Sequence, residues 1–288
     1  MIKSVIAGVP VGDDEPVRIM GVVNVSPESF YKGSVKTSRE AVIETAESFA
    51  RAGVDFIDVG GRSTAPYLDT YVPPEVELGR VVEAIKAIVE NTNIKKPISV
   101  DTTRSIVAEA ALKAGASIVN DVSGFREDPR MPVVVREYGA PVILVARVAK
   151  YNPQLKPVQQ VISALRESIS IAVNHGIDED KIVVDPGIGF NRFSELPWYV
   201  WDSMVLADLE ELRALGRPIL VGVSRKSFIG EITGKRDPAE RLYGSLAATA
   251  IAVFNGAHIV RTHDPAETVD VVKVSSFIRR TRNFKPGS

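Results

Sequence analysis

Eight times along this chain a short apolar run gives way to a longer stretch with helical periodicity, and no other feature narrows the possible folds as far. Runs too short to form a buried helix read as strands, and strands that alternate with amphipathic helices build a parallel sheet. The strands are expected at 18–24, 55–59, 97–101, 117–120, 141–145, 181–184, 218–221 and 258–260. The helices are expected at 38–52, 74–90, 104–114, 129–138, 157–175, 198–215, 239–255 and 265–280. Gly53, Gly115, Gly139, Gly176, Gly216 and Gly256 each follow a helical pattern, where a left-handed residue ends a helix. An open doubly wound sheet is the competing architecture, but it rarely runs through so many identical units without a change of pattern. The expected fold is therefore an α/β (β/α)8 TIM barrel, with residues 4–16 forming a short hairpin that closes its bottom. No linker or low-complexity segment divides the sequence, so residues 1–288 are expected to form a single domain.

A length of 288 residues suits one barrel, which commonly takes about 250. The chain has no cysteine, which removes disulfides, thiolate metal sites and a cysteine nucleophile and leaves the chemistry to oxygen and nitrogen groups. A formal net charge of -1 offers no overall attraction to nucleic acid or to an anionic membrane, so any anion site must be local. The apolar stretch from Val5 to Val11 contains Gly8 and Pro10 and shows no small-residue cleavage pattern, unlike a signal peptide. The run from Leu246 to Phe254 is far short of the roughly 20 residues that span a bilayer. A cytoplasmic protein is expected.

In such a barrel the C-terminal strand ends carry the chemistry. Here they present Asn24 in Asn24-Val25-Ser26-Pro27, the glycine pair Gly60-Gly61 followed by Arg62-Ser63-Thr64-Ala65-Pro66, then Asp101, Asn120 and Asp121. Further along come Asp185 in Asp185-Pro186-Gly187-Ile188-Gly189-Phe190, Arg225-Lys226-Ser227, and Arg261-Thr262-His263-Asp264. Several have a plainer reading. Asn24 alone suits an ordinary turn, Asp101 and Asp121 could cap helices, and Arg225 or Lys226 alone could be solvated surface. With only three histidines, His263 has little support as a metal ligand. Arg261 and His263 share one side of an extended segment, and the ends of the last two barrel strands are the usual phosphate position.

Together these turns resemble those of the dihydropteroate synthases, a pterin-binding barrel family, in order from about residue 18 to 275. The resemblance implies a transferase that joins 6-hydroxymethyl-7,8-dihydropterin diphosphate to an arylamine such as 4-aminobenzoate and releases diphosphate. It implies that Asp101, Asn120, Asp185 and Lys226 bind the pterin, with Asp101, Lys226 and Asp185 the catalytic group. Asn24, Arg261 and His263 would hold diphosphate, with Mg2+ bridging its oxygens and Asn24. Thr64, Pro66 and Ser227 would border the arylamine. The partners implied are these small molecules, with no nucleic acid or membrane, and a homodimer is expected.

The chain departs from that pattern at Val145-Ala146-Arg147, Arg62, Ala65 and Asn191-Arg192, which suggests a divergent, archaeal-type member with an altered acceptor side. Arg62 and Arg147 would make the entrance more basic. Two alternatives stay open: the same reaction with a larger ribosylated arylamine, as in methanopterin synthesis, or a pterin-binding protein of the methyltransferase type. The second has no diphosphate to hold, which leaves Asn24 and Arg261 unexplained.

Overall fold

The computed structural model describes residues 1–29, 31, 33, 35, 36, 38–63, 71–91 and 94–282. Eight parallel strands follow an N-terminal hairpin of β1 (Lys3–Ile6) and β2 (Val9–Gly12): β3 (Arg18–Asn24), β4 (Phe56–Gly60), β5 (Ile98–Asp101), β6 (Ile118–Asp121), β7 (Val142–Val145), β8 (Ile182–Asp185), β9 (Leu220–Gly222) and β10 (Ile259–Thr262). The sheet runs β8-β7-β6-β5-β4-β3-β10-β9, and the bridge between Val184 and Ile219 joins its two ends into a closed barrel. Around it lie α1 (Arg39–Ala52), α2 (Pro74–Glu90), α3 (Ser105–Ala114), α4 (Met131–Tyr138), α5 (Pro157–Asn174), α6 (Trp198–Ala207), α7 (Ser227–Thr233), α8 (Leu242–Phe254) and α9 (Pro265–Thr281). All six glycine stops have positive φ, for example 86° at Gly53, whose N–H returns to the carbonyls of Phe49 and Ala50.

The barrel interior is built in layers by the period-2 pleat. Met20, Phe56, Ile118, Ile143, Val183, Leu220 and Ile259 fill the lower layer, and Ile6 and Val11 of the hairpin pack under them as the barrel floor. Asp13 fastens that floor. It accepts from the Ile2 N–H at 2.7 Å, from Arg213 at 2.7 and 2.9 Å, and from His258 Nε2 at 3.1 Å. The other strand faces pack outward against the helices.

Two expected helices are interrupted. The stretch expected at 198–215 leaves α-geometry after Ala207, and a 3-10 turn over Leu209–Leu215 sets the buried Leu209 and Leu212, three residues apart, on one line. Ahead of α8, a 3-10 turn over Pro238–Arg241 places the Arg241 guanidinium on the carbonyls of Lys235, Arg236 and Arg225. The short α7 in the turn after β9 was not visible in the strand-helix pattern, because seven residues are too few to show a period.

Candidate active site

The residues two positions beyond the apolar floor point into the barrel mouth. From Phe56, Ile118, Val183 and Ile259 this step reaches Asp58, Asn120, Asp185 and Arg261. On β5 the inward position level with Asp58 is Ser99, so the same step reaches Asp101. The pleat thus converts an apolar layer into a polar one and gathers three carboxylates, an amide and a guanidinium.

Arg261 bridges two of the carboxylates, with Nε 2.7 Å from Asp58 Oδ2 and Nη2 2.9 Å from Asp101 Oδ2. Asn120 Nδ2 lies 3.4 Å from the same Asp58 oxygen. Asp58 Oδ1, Asp101 Oδ1 and Asn120 Oδ1 are buried with no hydrogen-bond donor. Unsatisfied acceptors of this kind are costly, and the two on Asp101 and Asn120, which line a cavity at the barrel mouth, mark a place for a ligand rich in N–H groups. Burial pushes the Asp101 carboxyl up to about 7, against the pull of Arg261 and with help from the Asp58 charge. Asp185 is raised by burial although Lys226 and the Gly187 N–H, at 2.7 Å, both favour its charge. Burial lowers Lys226, and Asp185 opposes it. His263, held by Ser224 Oγ at 3.0 Å, is driven down to about 3 by burial and by Arg261, Arg225 and Lys226, so it is neutral at pH 7.

The structure brings Asn24, Asp101, Asn120, Asp185, Lys226, Ser227, Arg261 and His263 to the wall of one cavity. Thr64 and Pro66 lie outside the described residues, as does Ala65. The capping alternative for Asp101 is removed: the Ser105 N–H at the start of α3 goes to Asp128 at 2.7 Å, and the Arg104 N–H to Thr102 Oγ1 at 3.2 Å. Asp121 does have a turn-forming role, accepting from Ser123 N, Ser123 Oγ and Phe125 N. Arg225 is also structural, since it pairs with Asp264 at 2.6 and 2.8 Å and ties the β9 turn to the β10 turn.

The expected basic entrance is changed by what its arginines touch. Arg62 lines the cavity, but its guanidinium donates to Thr103 Oγ1 at 2.9 Å and pairs at 3.4 Å with the buried Glu77, which also holds Arg104 at 2.7 Å. Arg147 lies 5.4 Å from the Phe190 ring centroid. Arg192 stacks 4.2 Å from the Trp198 ring and donates to Ser227 Oγ at 2.8 Å. Asn191 accepts from the Val148 N–H at 2.8 Å and so joins the β7 turn to the β8 turn. Sequence reading passed over Asp58 and Asp202. The signal for Asp58 was an acid between Ile57 and Val59 in an otherwise apolar strand, and for Asp202 an acid beside Trp201 in an apolar helix.

Among the described residues no group of three or more His, Asp or Glu side chains could hold a metal ion. Asn24 donates from Nδ2 to Ser29 Oγ at 3.3 Å, so the amide oxygen is the atom that would meet a cation. One neutral oxygen suits Mg2+ that arrives on phosphate, because this ion usually takes few protein ligands and keeps substrate oxygens and water.

A closed barrel whose mouth sets buried carboxylates and an amide beside a lysine, with an arginine and a neutral histidine next to them, defines a binder of a flat nitrogen heterocycle with an anionic tail. Residues 20–263 match the family described as pterin binding enzyme, and the chain belongs to that family, within it to the dihydropteroate synthases. It is 38% identical over 270 residues to the dihydropteroate synthase of a Synechocystis strain, covering 91% of this chain and 90% of that one. The Xanthomonas albilineans dihydropteroate synthase with 4-aminobenzoic acid is 38% identical with a TM-score of 0.84, over 96% of this chain and 98% of the other. The same enzyme in complex with 7,8-dihydropteroate aligns at 37% identity and a TM-score of 0.81, over 96% and 98%.

Proposed function

We propose that this protein condenses 6-hydroxymethyl-7,8-dihydropterin diphosphate with 4-aminobenzoate, releasing diphosphate and forming 7,8-dihydropteroate for folate synthesis. The observation that carries the reading is the pair of orphaned acceptors on Asp101 and Asn120, set beside Asp185 and Lys226 on the wall of one cavity. A pterin offers a guanidine-like donor edge and ring acceptors, which match carboxylates on one side and an ammonium on the other.

In this reading Asp185 accepts from the guanidine-like edge, Asn120 and Asp101 complete the donor–acceptor pattern, and Lys226 donates to the ring's acceptors. Arg261, with the neutral His263 and Asn24 nearby, faces the diphosphate. Asn24 would hold Mg2+, which would supply positive charge against the leaving group. As the C–O bond to diphosphate breaks, the pterin methylene becomes electron-poor. Asp101 then meets a growing positive charge, which lowers its pKa and favours the carboxylate that stabilises that carbon. The amine nitrogen attacks the methylene, forms the C–N bond and loses a proton. Little activation of the amine is needed, since its partner is already cationic.

Ser227 borders the arylamine in this reading, and the engagement of Arg62 with Glu77 and Thr103 favours 4-aminobenzoate over a larger phosphorylated acceptor. A homodimer and a cytoplasmic location belong to the same proposal. The dimer is supported by an apolar stripe at helical spacing: Tyr243, Ala247 and Ile251 on α8, and Val274, Phe277 and Ile278 on α9, with Tyr243 77% and Phe277 70% exposed. The test is diphosphate release from the pterin diphosphate with each arylamine offered separately. Release with 4-aminobenzoate is expected, and release only with a ribosylated arylamine would overturn the choice of acceptor.

A further inference from the structure

One buried carboxylate close to the site has no part in the mechanism above. Asp202, on α6, is fully buried. Its Oδ1 accepts from the Gly189 N–H at 2.9 Å, and its Oδ2 has no hydrogen-bond partner. The carbonyl of that same peptide, on Ile188, accepts a hydrogen bond from Lys226 Nζ. A trans peptide points its C=O and N–H in opposite directions. The Ile188–Gly189 peptide is therefore held between the half-buried Lys226 cation on one side and a buried anion on the other. Gly189 leaves the space this needs, since a Cβ there would stand 3.2 Å from Lys226 Cδ.

We propose that Asp202 is a positioning residue for the pterin: through the Ile188–Gly189 peptide and by its charge it keeps the Lys226 ammonium protonated and aimed at the pterin ring. A peptide polarised by a carboxylate at its N–H is a stronger acceptor at its oxygen, so it holds the ammonium in place before substrate arrives. The anion also offsets the loss of solvation that works against a charged lysine here. Lys226 faces Asp185 from β8, Asp202 from α6, Asp101 from β5 and the opposing cation Arg261 from β10, while Asp202 faces Lys226 and Arg192. Asp202 is pushed up to about 6 by burial, despite the Gly189 N–H, so at pH 7 and above its charge is in place.

The inference rests on Lys226 being a pterin ligand, which K226Q tests separately: unchanged pterin affinity in that variant would overturn the reading of the site itself. For Asp202 the informative variant is D202N, which keeps an oxygen for the Gly189 N–H and removes only the charge. The alkaline limb of kcat/KM for the pterin diphosphate should move toward neutral pH by about one unit, the size expected for one charge several ångströms away in a partly shielded site. At a pH above the wild-type alkaline limb the KM for pterin diphosphate should rise about tenfold, while the KM for the arylamine stays unchanged. D202E keeps the charge but misplaces the hydrogen bond, so it should retain the wild-type alkaline limb while the KM for pterin diphosphate rises by a similar factor at every pH. A D202N profile that superimposes on the wild type would reduce Asp202 to a turn clamp and overturn the proposal. Where D202N fails to fold, a shifted alkaline limb in D202E overturns it equally.

Discussion

The floor and the mouth of this barrel each set an arginine and a histidine near buried or half-buried aspartate, yet they are finished in opposite ways. At the floor, both Asp13 oxygens carry two donors each. Although burial works against its charge, hydrogen bonds from Arg213, the Ile2 N–H and His258 hold its carboxyl well below the usual range. At the mouth, Asp58 and Asp101 share one arginine, each keeps an oxygen with no donor, and burial raises Asp101 instead. A satisfied network of this kind contributes stability. An unsatisfied one costs stability in the free protein and is completed by a ligand. The difference separates a structural cluster from a binding site where residue types alone do not.

The sharpest test of that contrast is at Asp185. Asp185→Asn should lower pterin affinity by about 2–4 kcal/mol, because an amide mispairs with one of the two donors of a guanidine-like edge. The melting temperature should hold or rise, since a buried carboxylate has been neutralised. Calorimetry showing wild-type pterin affinity in the folded variant would remove Asp185 from the site. Asp13→Ala should do the reverse. It leaves Arg213, His258 and the Ile2 N–H without their acceptor and should cost about 2–3 kcal/mol of stability, discounted for the partial exposure of Arg213. Its kcat/KM should match the wild type, and a catalytic defect at unchanged stability would show that floor and mouth are coupled.

Much of this contrast could be read from the sequence, and the part that could not has a physical cause. The eight strand-helix units and the glycine stops follow from periodicity and backbone conformation, which are local. Asn24, Asp101, Asn120, Asp185, Lys226, Arg261 and His263 stand at strand ends, where the fold itself indicates the mouth. Asp58 was hidden because its role depends on register: only the pairing with Val22 and Ser99 shows that it faces inward. The Asp13 cluster joins residues more than 240 positions apart and leaves no local trace. The departures were legible only in part for a similar reason. Arg62 adds a cation to the sequence of the mouth, but Glu77 and Thr103, its partners, come from α2 and the β5 turn.

The two clusters should also titrate in opposite senses. Asp101 lies near 7 in the folded protein against an ordinary 3.8, so the folded state takes up a proton that the unfolded state does not. Its contribution to stability therefore rises as pH falls through 7, by about 2 kcal/mol between pH 8 and 5.5. His258 is lowered from 6.5 by burial, so the folded form resists protonation and that contribution falls as pH drops through 6.5. Melting temperatures of the wild type and Asp101→Asn at pH 8 and 5.5 isolate the first term. The wild type should gain on the variant as the solution is acidified, and identical profiles would show that Asp101 is ionised throughout.

The smallest effect is expected at Arg62, where the sequence suggested a basic entrance that reads an anion on the acceptor. Its guanidinium donates to Thr103 and pairs with Glu77 at 3.4 Å, with Nε making no hydrogen bond, and Glu77 keeps Arg104 at 2.7 Å and Thr102 at 2.6 Å when Arg62 is removed. The buried acid is therefore not left alone, and Arg62→Ala should cost less than about 1 kcal/mol of stability. An arginine held in this way contributes the shape of the β4 turn more than charge to a ligand. The kcat/KM of Arg62→Ala should fall by less than about 1 kcal/mol in transition-state terms, and by the same factor with 4-aminobenzoate, a phosphoribosyl arylamine and an uncharged aniline. A loss of about 1–3 kcal/mol confined to an anionic acceptor would mean that the guanidinium leaves Glu77 when the acceptor binds. The mouth would then select its acceptor by charge on the β4 side, and the contrast with the floor would extend beyond the pterin to the second substrate.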